Sequence, residues 1–118
     1  MGDLSTHFNR SEFACQDNCG FNTVDAMLLA ILEDVREYFG EVVTVTSGCR
    51  CESHNKEVGG GINSQHKLGR AADIQVANTL PCDVQAYLLF KHENLYGIGQ
   101  YETFTHIDTR NDAARWEG

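Results

Sequence analysis

The 118-residue sequence has no run approaching the roughly 18 apolar residues that a membrane-spanning helix requires, so no membrane partner is expected. Met1 to Phe13 is polar and lacks an apolar h-region, which excludes a classical signal peptide there. Positive charge is scarce: Lys and Arg number nine against 17 Asp and Glu, for a formal net charge of −8. No basic block occurs, and phosphate binding depends on clustered Lys and Arg, so nucleic acid is excluded as a partner. Repeats, low-complexity tracts and linkers are also missing. A chain of this length holds one core, and residues 1–118 read as a single domain, expected to act as a monomer. Proline occurs once, as Pro81. No C-x-x-C motif is present, which removes the main support for a thiol redox protein.

What the chain does hold in excess is cysteine: Cys15, Cys19, Cys49, Cys51 and Cys82. An odd count leaves at least one unpaired within a monomer. The spacings C-x3-C and C-x-C could together imitate a four-cysteine structural zinc site. Buried or unpaired thiols, with one bridge at most, are the plainer alternative, and the redox compartment stays open.

Hydrophobic periodicity organises the rest. The segment from Leu4 to Gly20 reads as an extended arm or a short helix anchored by Leu4, Phe8 and Phe13. From Val24 to Phe39, apolar residues recur at helical spacing, with Asn22 or Thr23 available as a cap and Gly40 just past the end. Val42 to Thr46 reads as a β-branched strand. Ser47 to Gly69 is glycine-rich and reads as a long irregular stretch. Ala71 to Val76 reads as a strand, Cys82 to Lys91 as a helix behind Pro81, and Tyr96 to Tyr101 and Phe104 to Thr109 as two final strands. This order predicts an α+β domain with helices packed on one face of a small, mainly antiparallel sheet.

Two short stretches carry chemistry. In the first, His66 closes the glycine-rich segment and Asp73 lies seven residues on, with Gly69 able to bend the chain between them. Imidazole and carboxylate are ordinary zinc ligands. Asp73 sits among residues that look buried, so it must be paired or metal-bound, and Arg70 is the alternative partner. In the second, His106 and Asp108 are two apart on a strand and share a face with Phe104; a simple histidine–aspartate pair on a solvated face is the competing reading. Together His66, Asp73 and His106 make three protein ligands, the number a catalytic zinc keeps while leaving a fourth position for water. Asp108 and Glu102 are the local carboxylates for the general base, although Asp108 can instead orient His106. Arg50, with its forked guanidinium, is the candidate for a substrate carboxylate or a developing oxyanion.

Ser64-x-His66-x-x-Gly69-x-Ala71-x-Asp73 resembles the S-x-H-x-x-G-x-A-x-D signature of the zinc D-Ala-D-Ala carboxypeptidases and their relatives. Those relatives include vancomycin-resistance dipeptidases, phage L-alanyl-D-glutamate endolysins and the Hedgehog signalling domain. Phe104-Thr-His106-Ile-Asp108-Thr-Arg110 is similar to the later H-x-D segment of the short phage and prophage branch, as is Ser47-Gly-Cys-Arg50 with His54-Asn55 and Gly59-Gly60. The likeness runs from about Leu4 to Trp116. It implies one Zn2+ on His66, Asp73 and His106, Arg50 on the scissile carbonyl or terminal carboxylate, and Ser64 supporting the metal loop at the substrate site. It also implies a substrate from the peptidoglycan stem peptide or cross-bridge.

Two departures stand out. Where the dipeptidases carry glutamate three residues before the last zinc histidine, this chain has Thr103. Where others have H-x-H, it has Asp108. Asp108 is therefore the first expectation for the base and Glu102 the second, and a shifted registration would make Asp108 the third ligand. The expected function is a metallopeptidase, a carboxypeptidase or an endolysin-type endopeptidase. It would be made in the cytoplasm and reach the cell wall after holin- or phage-mediated release. The alternative is a non-catalytic zinc-containing module of the same fold that docks to the wall or serves a phage structure.

Overall fold

The computed structural model describes residues 4–15, 24–58 and 64–117. Cys19, the expected caps Asn22 and Thr23, and Gly59 to Asn63 lie outside the described residues, and so does the side chain of His54. The elements, in order, are a 3-10 turn at Arg10–Glu12, α1 (Ala26–Phe39), β1 (Val43–Ser47), α2 (Glu52–Glu57), a 3-10 turn at Gln65–Leu68, β2 (Ala71–Val76), α3 (Pro81–Lys91), β3 (Gly97–Gln100), β4 (Thr105–Asp108) and β5 (Ala114–Glu117). The five strands form one sheet in the order β1-β2-β4-β3-β5. All neighbours are antiparallel except β3 and β5, which run parallel. The α+β expectation holds, with a largely antiparallel sheet. No helix of the described residues is long and apolar enough to cross a membrane.

The core forms because each element presents one apolar face. Leu28, Ile31, Leu32 and Val35 of α1 and Val84 and Leu88 of α3 are buried against Ala72, Ile74, Val76, Ile98 and Ile107 of the sheet. Those positions alternate along β2 and β4, as a pleated strand demands. The arm contributes Phe8 and Phe13, both fully buried. Asp25, rather than the expected Asn22 or Thr23, closes the start of α1, its side chain accepting from Leu28 N. It also accepts from Thr109 Oγ1 at 3.0 Å, and its backbone N–H reaches Gly69 O at 2.9 Å. The helix start is therefore tied to the turn that precedes β2 and to the residue that follows β4. Gly40 ends α1 in the left-handed conformation, φ +66°.

Two elements depart from the sequence reading. The stretch from Ser47 to Gly69 contains α2 and the Gln65–Leu68 turn rather than irregular chain throughout. Glu52–Glu57 is polar all round, so it carries no periodic signal. β5 was not expected either. Its four residues are half-buried or exposed, without the alternation that marks a strand with one face in a core.

Candidate metal centre

Register sets the site. β2 and β4 pair antiparallel with Asp73 opposite His106. Both side chains fall on the face away from the helices, since Ile74 and Ile107, one residue along, face the core. β1 carries a bulge, in which Val45 opposes Ile74 while Ser47 opposes Asp73. The extra residue shifts the strand's parity and brings Ser47 beside Asp73. His66 arrives from the 3-10 turn, which Ser64 caps by accepting from His66 N at 3.3 Å. Gly69 closes that turn at φ +69°, a conformation a β-carbon would strain.

His66 Nε2, Asp73 Oδ1 and His106 Nδ1 converge. The separations are 3.2 Å for His66–Asp73, 3.3 Å for His66–His106 and 3.0 Å for His106–Asp73. All three residues are buried. A tetrahedron around an ion with bonds of about 2.0–2.1 Å has edges of about 3.3 Å, so the spacing suits zinc.

The protons point to the same conclusion. His66 Nδ1 lies 2.6 Å from Gly48 O, and a carbonyl can only accept, so that nitrogen carries the hydrogen. His106 Nε2 lies 2.7 Å from Asp108 Oδ2 and donates there by the same reasoning. In neutral rings, the two inward nitrogens and the Asp73 oxygen are then all lone-pair acceptors facing one another with no hydrogen between them. Such a cluster suits a cation at its centre, and the same lone pairs are otherwise met by a second proton on a histidine ring. Among the described residues it is the one group of three or more metal-competent side chains so placed.

Ionisation follows from the same contacts. Burial alone would raise the Asp73 pKa, but hydrogen bonding and charge from His106 and His66 hold it well below the usual carboxylate range. Burial opposes a charge on His106, yet Asp108 and Asp73 outweigh it and raise its pKa. The site favours positive charge.

Asp108 is fully buried behind His106, not in the opening. Its carboxylate accepts from His106 Nε2, from Gly97 N at 3.1 Å, from Arg110 N at 3.1 Å, and from Arg110 Nε and Nη2 at 2.8 and 2.7 Å. Asp108 thus backs His106, and it is His106 rather than Asp108 that converges with His66 and Asp73. A cleft of about 350 Å³ opens over the three donors, edged by Arg50, Ser64, Tyr101, Phe104, Arg110 and Trp116. Neither expected base reaches it. Asp108 is walled off by the His106 ring, and Glu102 is exposed beside a separate depression with Leu80 and Cys82.

Arg50 does line the cleft, but the metal site itself holds it. Nη2 donates to Asp73 Oδ2 at 3.3 Å, Nη1 to Asn55 Oδ1 at 3.3 Å and Nε to Ser47 Oγ at 3.2 Å. Three of the five guanidinium N–H groups are so used, leaving two. Arg70, the alternative partner for Asp73, instead donates to Thr109 O at 2.7 Å.

Sequence reasoning missed the Gly48 carbonyl, Arg110 and Trp116. Arg110 could have been found, being two residues beyond Asp108 as Asp108 is beyond His106. A backbone carbonyl leaves no mark on residue identity.

The thiols gather elsewhere. Cys15 and Cys49 are buried, and Cys51 N donates to Cys15 Sγ at 3.3 Å. Burial, reinforced by Cys15, pushes the Cys49 thiol up to about 11. Among the described residues these cysteines form no second metal group.

No curated protein matches the chain. A family model described as Peptidase M15 matches residues 6–108, nearly all of the chain and every residue of the triad. The chain thus belongs to the peptidase M15 family of zinc metallopeptidases acting on peptidoglycan.

Proposed function

We propose that this protein is a zinc metallopeptidase that hydrolyses a peptide bond involving D-amino acids in the stem peptide or cross-bridge of bacterial peptidoglycan. The observation that carries the reading is the converging triad His66, Asp73 and His106, whose two imidazoles already have their outer N–H groups committed to Gly48 O and Asp108. A zinc ion held there would supply Lewis acidity, lowering the pKa of water toward about 7 and polarising a carbonyl.

The remaining roles fall to the chain's own groups. Arg50 offers its two uncommitted N–H groups to the substrate carbonyl or terminal carboxylate while bracing Asp73. Ser64 holds the turn that presents His66. Asp108 fixes the tautomer and ring orientation of His106, and Arg110 holds Asp108 ionised.

A second reading is favoured by one observation. Among the described residues, the only carboxylate lining the cleft is Asp73 itself. A cleft with metal but no base suits a non-catalytic module that docks wall peptide. Incubating the zinc-loaded protein with purified sacculi, with and without chelator, separates the two. Chelator-sensitive release of peptides or new amine groups is expected. No release from a protein holding one zinc would reject the enzyme.

A further inference from the structure

β5 places a tryptophan at the metal centre. The Trp116 ring lies tilted against the His106 ring at 4.9 Å between centroids. Its Nε1 is 2.9 Å from the Tyr101 hydroxyl. The Tyr101 ring is stacked on Phe104 at 4.3 Å with 11° between planes, and all three rings edge the cleft above the triad. Gly99 makes room for this arrangement: a β-carbon there would lie 2.6 Å from Trp116 Nε1 and 2.7 Å from Cε2.

The direction of one hydrogen bond gives the arrangement its meaning. An indole N–H can only donate, so the Tyr101 oxygen is the acceptor in this pair. The phenolic proton is therefore turned away from Trp116. Phe104 stacking fixes the ring, and the indole fixes the oxygen, so the hydroxyl is an oriented donor at the rim of the cleft.

We infer that Tyr101 is a further catalytic residue, donating a hydrogen bond to the scissile carbonyl oxygen as that oxygen gains negative charge, and that Trp116 is its positioning residue. The inference rests on the peptidase reading. The phenol keeps its proton throughout, and no bond to it forms or breaks. A preorganised donor of this kind is worth roughly 10²–10³-fold in kcat, because it strengthens as charge develops rather than when the substrate first binds.

The test uses the full-length zinc-loaded chain and pentapeptide muropeptides. Tyr101→Phe is expected to lower kcat by about 10²–10³-fold with KM changed less than about threefold, at unchanged zinc content and Tm. Trp116→Phe, which keeps the hydroxyl but frees it, is expected to lower kcat by a smaller factor. Calorimetry with phosphinate pseudo-dipeptides of D-Ala-D-Ala and L-Ala-D-Glu adds a readout without turnover. Affinity for the tetrahedral phosphinate that binds should fall in Tyr101→Phe, while affinity for the product amino acid should not. A Tyr101→Phe variant within twofold of wild type in kcat overturns the assignment. If the wild type hydrolyses nothing, the peptidase reading fails, and equal phosphinate affinity of the two proteins then overturns the Tyr101 assignment as well. If Tyr101→Phe does not fold, a Trp116→Phe variant with unaltered kcat overturns it.

Discussion

The two faces of β2 and β4 are built from alternate residues of the same short stretches, yet different physics holds each one. On one face Ala72, Ile74 and Ile107 meet the helices, and their burial is stabilising by itself, roughly in proportion to the apolar area removed from water. On the other, Asp73, His106 and Asp108 are also buried, and burial alone opposes their charges. Mutual pairing and two arginines make that second face tenable, and its three converging donors suit a cation. One face is a packing problem solved by shape, the other a charge problem solved by pairing.

Substitutions on the two faces should therefore fail in different ways. The largest effect is expected for His66→Ala, which removes one of three donors: zinc content, measured by mass spectrometry, should drop from one per chain to near zero, with peptidoglycan hydrolysis at background. Full metal occupancy in this variant would reject the ligand assignment. On the opposite face, Ile107→Ala should lower unfolding free energy by about 2–5 kcal/mol in urea titrations while zinc stays at one per chain. Loss of metal there would show the faces to be coupled rather than separable.

A milder test lies within the charged face. Asp108→Asn removes the anion that fixes the His106 ring and should weaken zinc binding about 10–100-fold in a chelator competition, since partners behind a ligating histidine typically matter that much. An unchanged affinity would mean that Asp108 does not orient its histidine. The smallest effect lies on the arm. Burial disfavours the Glu33 charge, but Ser5 and His7 outweigh it and hold its pKa below the ordinary value. A depressed carboxylate contributes stability above its unfolded pKa of about 4.3, and that contribution is lost as pH falls through the lower folded value. The urea midpoints of wild type and Glu33→Gln should therefore differ near neutrality and converge in acid. A constant difference would remove the arm's contact with α1 as the cause.

The same contrast explains what the sequence made legible. Periodicity revealed α1 and its apolar stripe, because an apolar helix face repeats along the chain. The triad was legible only as a coincidence of separate stretches: His66 and Asp73 share one motif, and His106 lies 33 residues beyond Asp73. The position of Asp108 follows strand parity, but its role does not. Alternation puts it on the His106 face, whereas only the fold shows it behind the ring, held by Arg110 and Gly97 N. Glu102 shares that parity and still ends outside the cleft, because β4 begins at Thr105 and strand alternation does not extend back to it. Trp116 was invisible because β5 gains its place from pairing with β3 rather than from any pattern of its own.

X-ray absorption at the zinc edge of the purified chain tests the central claim most directly. His66, Asp73 and His106 predict one zinc per chain with only nitrogen and oxygen neighbours at about 2.0–2.1 Å and the scattering signature of two imidazoles. A shell of sulfur at about 2.3 Å would place the metal on the cysteines instead and contradict the account.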